Sequence, residues 1–418
     1  MRVAVVGGGI SGIAAAHEAQ AFADVTLFEA TSRLGGHTDT HNLLFYERAF
    51  SVDSGFIIFN RINYPLFSAW LDALGVASQP TEMSFGVQTA DGFEYGTSGL
   101  DAFFCQRSNL VRPGFLRMFG DIRRFYRSAG SVAPDDSRTL EAYLRTERYS
   151  KAFAEHHLLP MCAALWSAPH AEARKLAVGH VAVFMVNHGL TLWRGRPEWR
   201  VVRGGSSAYV RAFKDAFNGQ IHRNCAVHSV REDASGVFVT TAEGRDRFDR
   251  VILACHSDDA CALIDQSNSA RDILSAIAYQ PNRMVLHSDA RVMPRSPAAW
   301  SSWNVYVNEH GQYECTYWMN RLQGFASKPQ FFVTLNPVRE LSRVWVERDY
   351  RHPIFSLEAH AAKQRLSELH AGTRISYCGA WTGWGFHEDG FRSGVEAAAR
   401  IRAAINSQDA AQDTANAA

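Results

Sequence analysis

Three ionisable residues in a row, His387-Glu388-Asp389, lie inside a stretch that carries five glycines: Gly379, Gly383, Gly385, Gly390 and Gly394. An imidazole and a carboxyl group held against a bound reactant can move a proton, so His387 and Glu388 are the candidate catalytic pair. The alternative for Glu388 and Asp389 is to hold the loop or cap a helix. At the other end of the chain, Gly7-Gly8-Gly9-Ile10-Ser11-Gly12 reads G-x-G-x-x-G, with Glu29 following. In that pattern the first glycine makes a tight turn, the second lets a pyrophosphate approach the backbone, and the third brings helix and strand together. An acid about 20 residues on accepts hydrogen bonds from a ribose.

These residues need particular elements to position them. RVAVV (residues 2–6) reads as a buried parallel strand, a helix follows to about Phe22, and DVTLFEA reads as a second strand ending on Glu29 and Ala30. The chain continues Arg33-Leu34-Gly35-Gly36-His37. A simple NAD domain has no need of an Arg-x-Gly-Gly here, whereas FAD does. Arg33 can reach the pyrophosphate, and Gly35 and Gly36 let the chain pass close to the ribityl chain, with His37 alongside. Gly55 and Phe56 close another small-residue turn. FAD is long, and its ring needs a second helix N-terminus to stabilise negative charge on the reduced flavin. The helix expected to begin near Ser393 is that candidate, with Gly379, Asp389, Gly390, Phe391 and Arg392 in front of it.

Composition narrows the classes. A chain of 418 residues with 46% apolar content suits two globular domains. A net charge of +1 argues against a nucleic-acid partner. The seven cysteines form no CxxC pair and no zinc spacing, so neither a metal nor a disulfide framework is expected. The opening on MRVAVVGGG and the lack of an apolar run of roughly 18 residues point to a cytoplasmic protein.

VAVVGGGISG, EATSRLGGH, a middle segment with Gly204-Gly205, and the C-terminal glycine stretch together resemble the flavin amine oxidase/phytoene desaturase superfamily. The resemblance implies an α/β fold: a Rossmann-type FAD-binding domain with a discontinuous α+β substrate domain, as in p-hydroxybenzoate hydroxylase. It implies an adenine contact from Val227, at the end of a strand from Ile221. RLGGHT, MCAALWSAP, TYWMNRLQG and GFHEDGFRSG are similar to a bacterial subgroup of predicted NAD/FAD-binding proteins. That subgroup accompanies cyclopropane-fatty-acid-synthase-like methyltransferases, and some relatives are implicated in desaturating methyl-branched acyl chains. The sequence departs from the amine-oxidase pattern at His37, where Arg or Lys is common, and at Cys255-His256, which replaces Thr-Pro. No lysine has a recognisable flavin-facing context.

The expected division is 1–55, 200–262 and 372–405 for FAD, 56–199 (largely helical) and 263–371 for substrate, and a disordered tail at 406–418. Trp166, Trp300, Trp303, Trp318 and Asn320 are candidates to line an apolar substrate pocket, with core packing as the alternative. Residues 103–128 carry six arginines against Asp121 and suit peripheral contact with an anionic membrane, or simply a solvated helix face. The function expected is an FAD-dependent oxidoreductase that takes hydride from an apolar substrate, an unsaturated or methyl-branched fatty acyl chain. The alternatives are an amine or amino-acid oxidase and a non-catalytic flavin sensor.

Overall fold

The protein is described from a computed structural model covering residues 1–45, 47–265 and 270–416, with side chains described to residue 406. A five-stranded parallel sheet has the order Gln220–His222, Asp24–Phe28, Arg2–Val6, Arg250–Leu253, Ile375–Tyr377. Its central strand Arg2–Val6 is apolar and buried on both faces from Val3 on, as a strand covered on both sides must be. The first helix (Ile10–Ala19) and the last helix (His387–Asn416) pack on this sheet and on each other. A three-stranded antiparallel meander spans Val227–Asp233, Gly236–Thr241 and Gly244–Phe248.

A seven-stranded sheet covers the other side of the molecule. Its order is Val344–Pro353, Tyr279–His287, Phe332–Leu335, Tyr313–Trp318, Trp303–Val307, Phe85–Thr89, Glu94–Gly96. Two of its strands come from the segment expected to be largely helical, and Ile58–Asn60 and Ser78–Thr81 add further strands there. β-Branched and aromatic residues in short runs make both structures plausible from local pattern, and the pairing of Phe85–Thr89 with Trp303–Val307 decides it. Helices between residues 100 and 187 pack beneath this sheet around Phe115, Phe125, Leu159 and Phe184.

Three boundaries differ from expectation. The parallel strand ends at His222, and Val227 instead opens the antiparallel meander. The last helix starts at His387, not near Ser393, because Asp389 accepts the Trp384 and Phe386 N–H groups that precede it. It runs to Asn416, through most of the segment expected to be a tail.

Candidate functional site

The N-terminal glycine turn has the expected geometry. Gly7 adopts φ +110, and a Cβ on Gly12 would stand 1.8 Å from the Gly7 carbonyl oxygen. Gly9 has open space where a Cβ would be. It is also the N-cap of the first helix, which has no side-chain cap and no acid in its first turn. The N–H groups of Ile10, Ser11 and Gly12 therefore present an unneutralised helix end to an open cradle. Glu29 is fixed at its mouth: Oε2 accepts from Gly8 N (2.9 Å), and Oε1 accepts from Thr31 N and Thr31 Oγ1 (both 2.8 Å), with Ala30 exposed beside it. Arg33 does not extend outward. Its guanidinium donates to Thr38 O (2.6 Å) and Gly36 O (3.0 Å), clamping the turn in which Gly35 and Gly36 both have positive φ. A Cβ on Gly55 would lie 2.0 Å from His37 O, so Gly55 is required by the adjacent chain.

The C-terminal glycines serve a different purpose. A Cβ on Gly390 would meet Ile10 Cγ2 at 2.8 Å, and one on Gly394 would meet Ser11 O at 2.2 Å. Gly379 is closed by the Trp381 indole and Gly383 by the Asp389 carboxylate. These glycines therefore fit protein against protein. Their result is that the last helix begins beside the start of the first, and two helix N-termini converge.

The ionisable trio is correspondingly occupied. Both Glu388 oxygens accept backbone N–H groups at the start of the helix Pro65–Ala73, from Leu66 (2.9 Å) and Phe67 (3.0 Å). That contact removes Glu388 as a free proton acceptor, although burial raises its pKa. Asp389, also raised by burial, pairs with Arg392 (2.8 Å). His387 is buried, stacks on Phe56 with centroids 3.6 Å apart, and contacts the Tyr209 hydroxyl through Nε2 at 2.8 Å. Burial drives its pKa far below the usual histidine range, so it is a neutral imidazole that orients Tyr209. Phe391 is core, packed against Phe67 and Trp70.

Sequence reasoning missed three groups here. Tyr209 bridges Thr38 and His387. Asp53 is fully buried and accepts from Thr40, Ser206 and Gln323; burial pushes its carboxyl up to about 7. Neither is distinguishable in sequence from a core aromatic or a turn acid. Lys363, passed over for lack of context, places Nζ on the Gly383 carbonyl and over the Phe355 ring (4.2 Å); burial lowers it to about 8, opposed by Asp389.

The proposed pocket residues separate. Trp166 joins His180, Phe184, Trp384 and Phe386 in an aromatic cluster, with centroids of 5.1 Å for Trp166–Phe184 and 4.6 Å for Phe184–Phe386. A cavity of about 210 Å³ opens beside Trp166 and Phe355. Trp303 faces the same core from the sheet. Trp318 and Trp300 pack with Phe332 in another cluster, because alternate residues of a strand point to opposite faces. Asn320 braces a loop through Phe331 N (2.7 Å) and Pro329 O (2.8 Å). Among these candidates, Trp300, Trp318 and Asn320 do not line that interior.

The open Gly9 cradle, the uncapped first helix and the second helix start beside it fit a dinucleotide with a long second half. The flavin containing amine oxidoreductase family model matches residues 10–283. Cyclohexylamine oxidase from Brevibacterium oxydans shares the fold at 16% identity, over 97% of this chain and 99% of that one, with a TM-score of 0.70. Putrescine oxidase matches at 16% identity over 96% and 99%, TM-score 0.69. A CLA-producing fatty acid isomerase from P. acnes matches at 13% identity over 96% and 98%, TM-score 0.67. No curated protein sequence matches the chain. The chain belongs to the flavin containing amine oxidoreductase family. It is an FAD-dependent oxidoreductase, and FAD is its cofactor.

Proposed function

We propose that the chain removes hydride from an unsaturated or methyl-branched fatty acyl chain. The observation that carries this reading is the aromatic cluster of Trp166, Phe184, Trp384 and Phe386, of which Trp166 borders the cavity. The ionisable groups packed against it, His180 and His188, are held neutral by burial, with Lys363 over the neighbouring Phe355 ring. Asp389 is bonded to Arg392 and two backbone N–H groups, and Glu172 at the cavity beside Trp166 pairs with Lys175, which leaves exposed Glu358 as the cavity carboxylate without a cationic partner among the described residues. Lys363 would repel a cationic amine.

Bound FAD supplies a hydride acceptor at the flavin N5. On this reading Gly9, Ile10, Ser11, Gly12 and Glu29 bind the adenosine half. Neutral His387, held by Phe56 and Tyr209, fixes the start of the last helix. The aromatic cluster excludes water and aligns a C–H bond. Arg117, Arg123 and Arg127, exposed on the helix Pro113–Ser128, have no carboxylate partner among the described residues. With exposed Leu110, Val111, Leu116 and Trp193, they suit contact with an anionic membrane that presents acyl chains. No helix among the described residues is long and apolar enough to cross a membrane.

Amine oxidation is the second reading, favoured by family membership. Anaerobic mixing separates the two: flavin absorbance should bleach with branched or unsaturated acyl lipids. Bleaching by primary or secondary amines alone would replace the lipid reading with the amine one.

A further inference from the structure

Among the described residues that line the cavity beside Trp166, Gln280 is the buried polar one. The apolar lining comes from Trp166, Leu176, Ile354 and Phe355, and Gln280 stands with them at 8% exposed. It lies on the strand Tyr279–His287, two and three alternations before Met284 and Leu286, so its side chain points to the same face, toward the helices beneath the sheet.

Its amide has a fixed orientation. Nε2 donates to the Ser167 carbonyl at 2.7 Å, and the reversed amide would set oxygen against oxygen there. Ser167 is the left-handed residue (φ +51) that ends the helix Leu159–Trp166. Oε1 is therefore turned away from that helix end. It accepts no hydrogen bond from any described residue and is not enclosed by protein, so its lone pairs face the open volume. The two hydroxyls at the cavity are already helix caps: Thr139 accepts from Ala142 N and Ser356 from Ala359 N, both at 3.2 Å.

The charges stand at the rim. Glu172 and Lys175 pair at 2.8 Å, Glu358 is exposed, and Lys363 lies over the Phe355 ring at 4.2 Å. These two cations and two carboxylates balance, and none is in the buried wall. An ion entering the apolar volume would lose hydration with no buried counter-charge to offset the loss. A carboxylate would also set its oxygens against Oε1. A hydroxyl or an amide N–H meets neither obstacle.

We propose, on the acyl reading given above, that this cavity seats the polar end of the substrate and that Gln280 selects a neutral hydrogen-bond donor there, an amide N–H or a hydroxyl beside the acyl group. A free fatty acid is then the poorer substrate. The cavity of about 210 Å³ equals about seven waters at about 30 Å³ each, enough for a short chain and its polar atom. Trp166 and Phe355 join it to the aromatic cluster: Trp166 stands 5.1 Å from Phe184, and Phe355 stacks at 5.2 Å on His180, which is 4.4 Å from Trp384. An end held at Gln280 is thus adjacent to the rings that align the C–H bond.

Titration calorimetry of the holoprotein at pH 7 tests this with probes that need no turnover. Hexanol and hexanamide should each bind at least about fivefold more tightly than methyl pentyl ether, the isomer of hexanol that lacks a donor. Hexanoate and hexylammonium should bind no better than the ether. In Gln280→Leu, hexanol and hexanamide should fall to the affinity of the ether, whose own binding changes less than about twofold. A preference shown by hexanol alone or hexanamide alone supports the selection and names the donor. Hexanoate or hexylammonium as the tightest ligand would overturn it. So would equal binding of hexanol and the ether to wild type, a result that does not depend on the variant folding. An equal loss of every probe in Gln280→Leu would make the residue structural and overturn it as well. Flavin bleaching separates this from the reading beneath it. The donor preference without bleaching by any acyl lipid would keep the site and overturn the acyl substrate, and bleaching without the preference would do the reverse.

Discussion

The glycine turn at residues 7–12 and the glycine stretch at 379–394 look alike in sequence and differ in what they press against. In the first, a Cβ on Gly9 would meet nothing within 4 Å. In the second, a Cβ on Gly394 would meet a backbone oxygen at 2.2 Å and one on Gly390 a side chain at 2.8 Å. Glycine density thus marks close approach without saying of what. One region leaves room for a ligand; the other brings a helix close enough to place its N-terminus beside that room.

The largest effect should separate the two directly. Gly394→Val drives a branched side chain into Ser11 O and should destabilise the protein by about 3 kcal/mol or more, read from urea denaturation. Gly9→Ala should stay within about 0.5 kcal/mol of wild type in the same assay, while weakening FAD binding. Equal destabilisation by both would erase the distinction between the regions.

Glu29→Ala tests the open region at its rim. It should cost FAD about 1.5–3 kcal/mol of affinity in a folded protein. Unchanged affinity would place the ribose elsewhere.

Glu388→Gln tests the packed region. The substitution replaces one of two N–H acceptors at the helix Pro65–Ala73 and should cost about 1 kcal/mol at pH 7. Burial raises the folded pKa of Glu388 above its unfolded value. Its contribution is therefore most favourable below the unfolded pKa and is lost as pH rises through the folded one. The stability advantage of wild type over the variant should accordingly shrink between pH 4 and pH 7. An advantage that grows over that range would mean the carboxylate is stabilised, not strained, by its site.

The smallest effect on stability is expected far from both regions. Replacing Arg117, Arg123 and Arg127 together with Gln should change unfolding by less than about 0.5 kcal/mol. The same variant should lose salt-sensitive binding to anionic vesicles, measured by co-sedimentation. Wild type that ignores such vesicles at low salt would remove the membrane contact while leaving the acyl substrate open.

Much of the first region was legible because its signals are local. Strand, turn, helix and acid follow one another within about 30 residues, and each follows from spacing and backbone geometry. The C-terminal stretch was misread in its contacts because the partner of Gly390 and Gly394 is the first helix, some 380 positions earlier. Trp318 and Tyr317 illustrate the same limit: adjacent in sequence, they face opposite cores once the strand Tyr313–Trp318 joins a sheet with both faces covered.

The sequence by itself determined the dinucleotide turn, the acid at Glu29, the buried first strand and the flavin class, because these depend on neighbours within a turn or a strand. Only the tertiary structure decided that Glu388 caps another helix, that Lys363 reaches the Gly383 carbonyl, and that His37, His256 and His352 share one patch. Burial and pairing of ionisable groups depend on which distant segments meet. Those meetings are set by how the two sheets and the converging helices pack, and no local spacing encodes them.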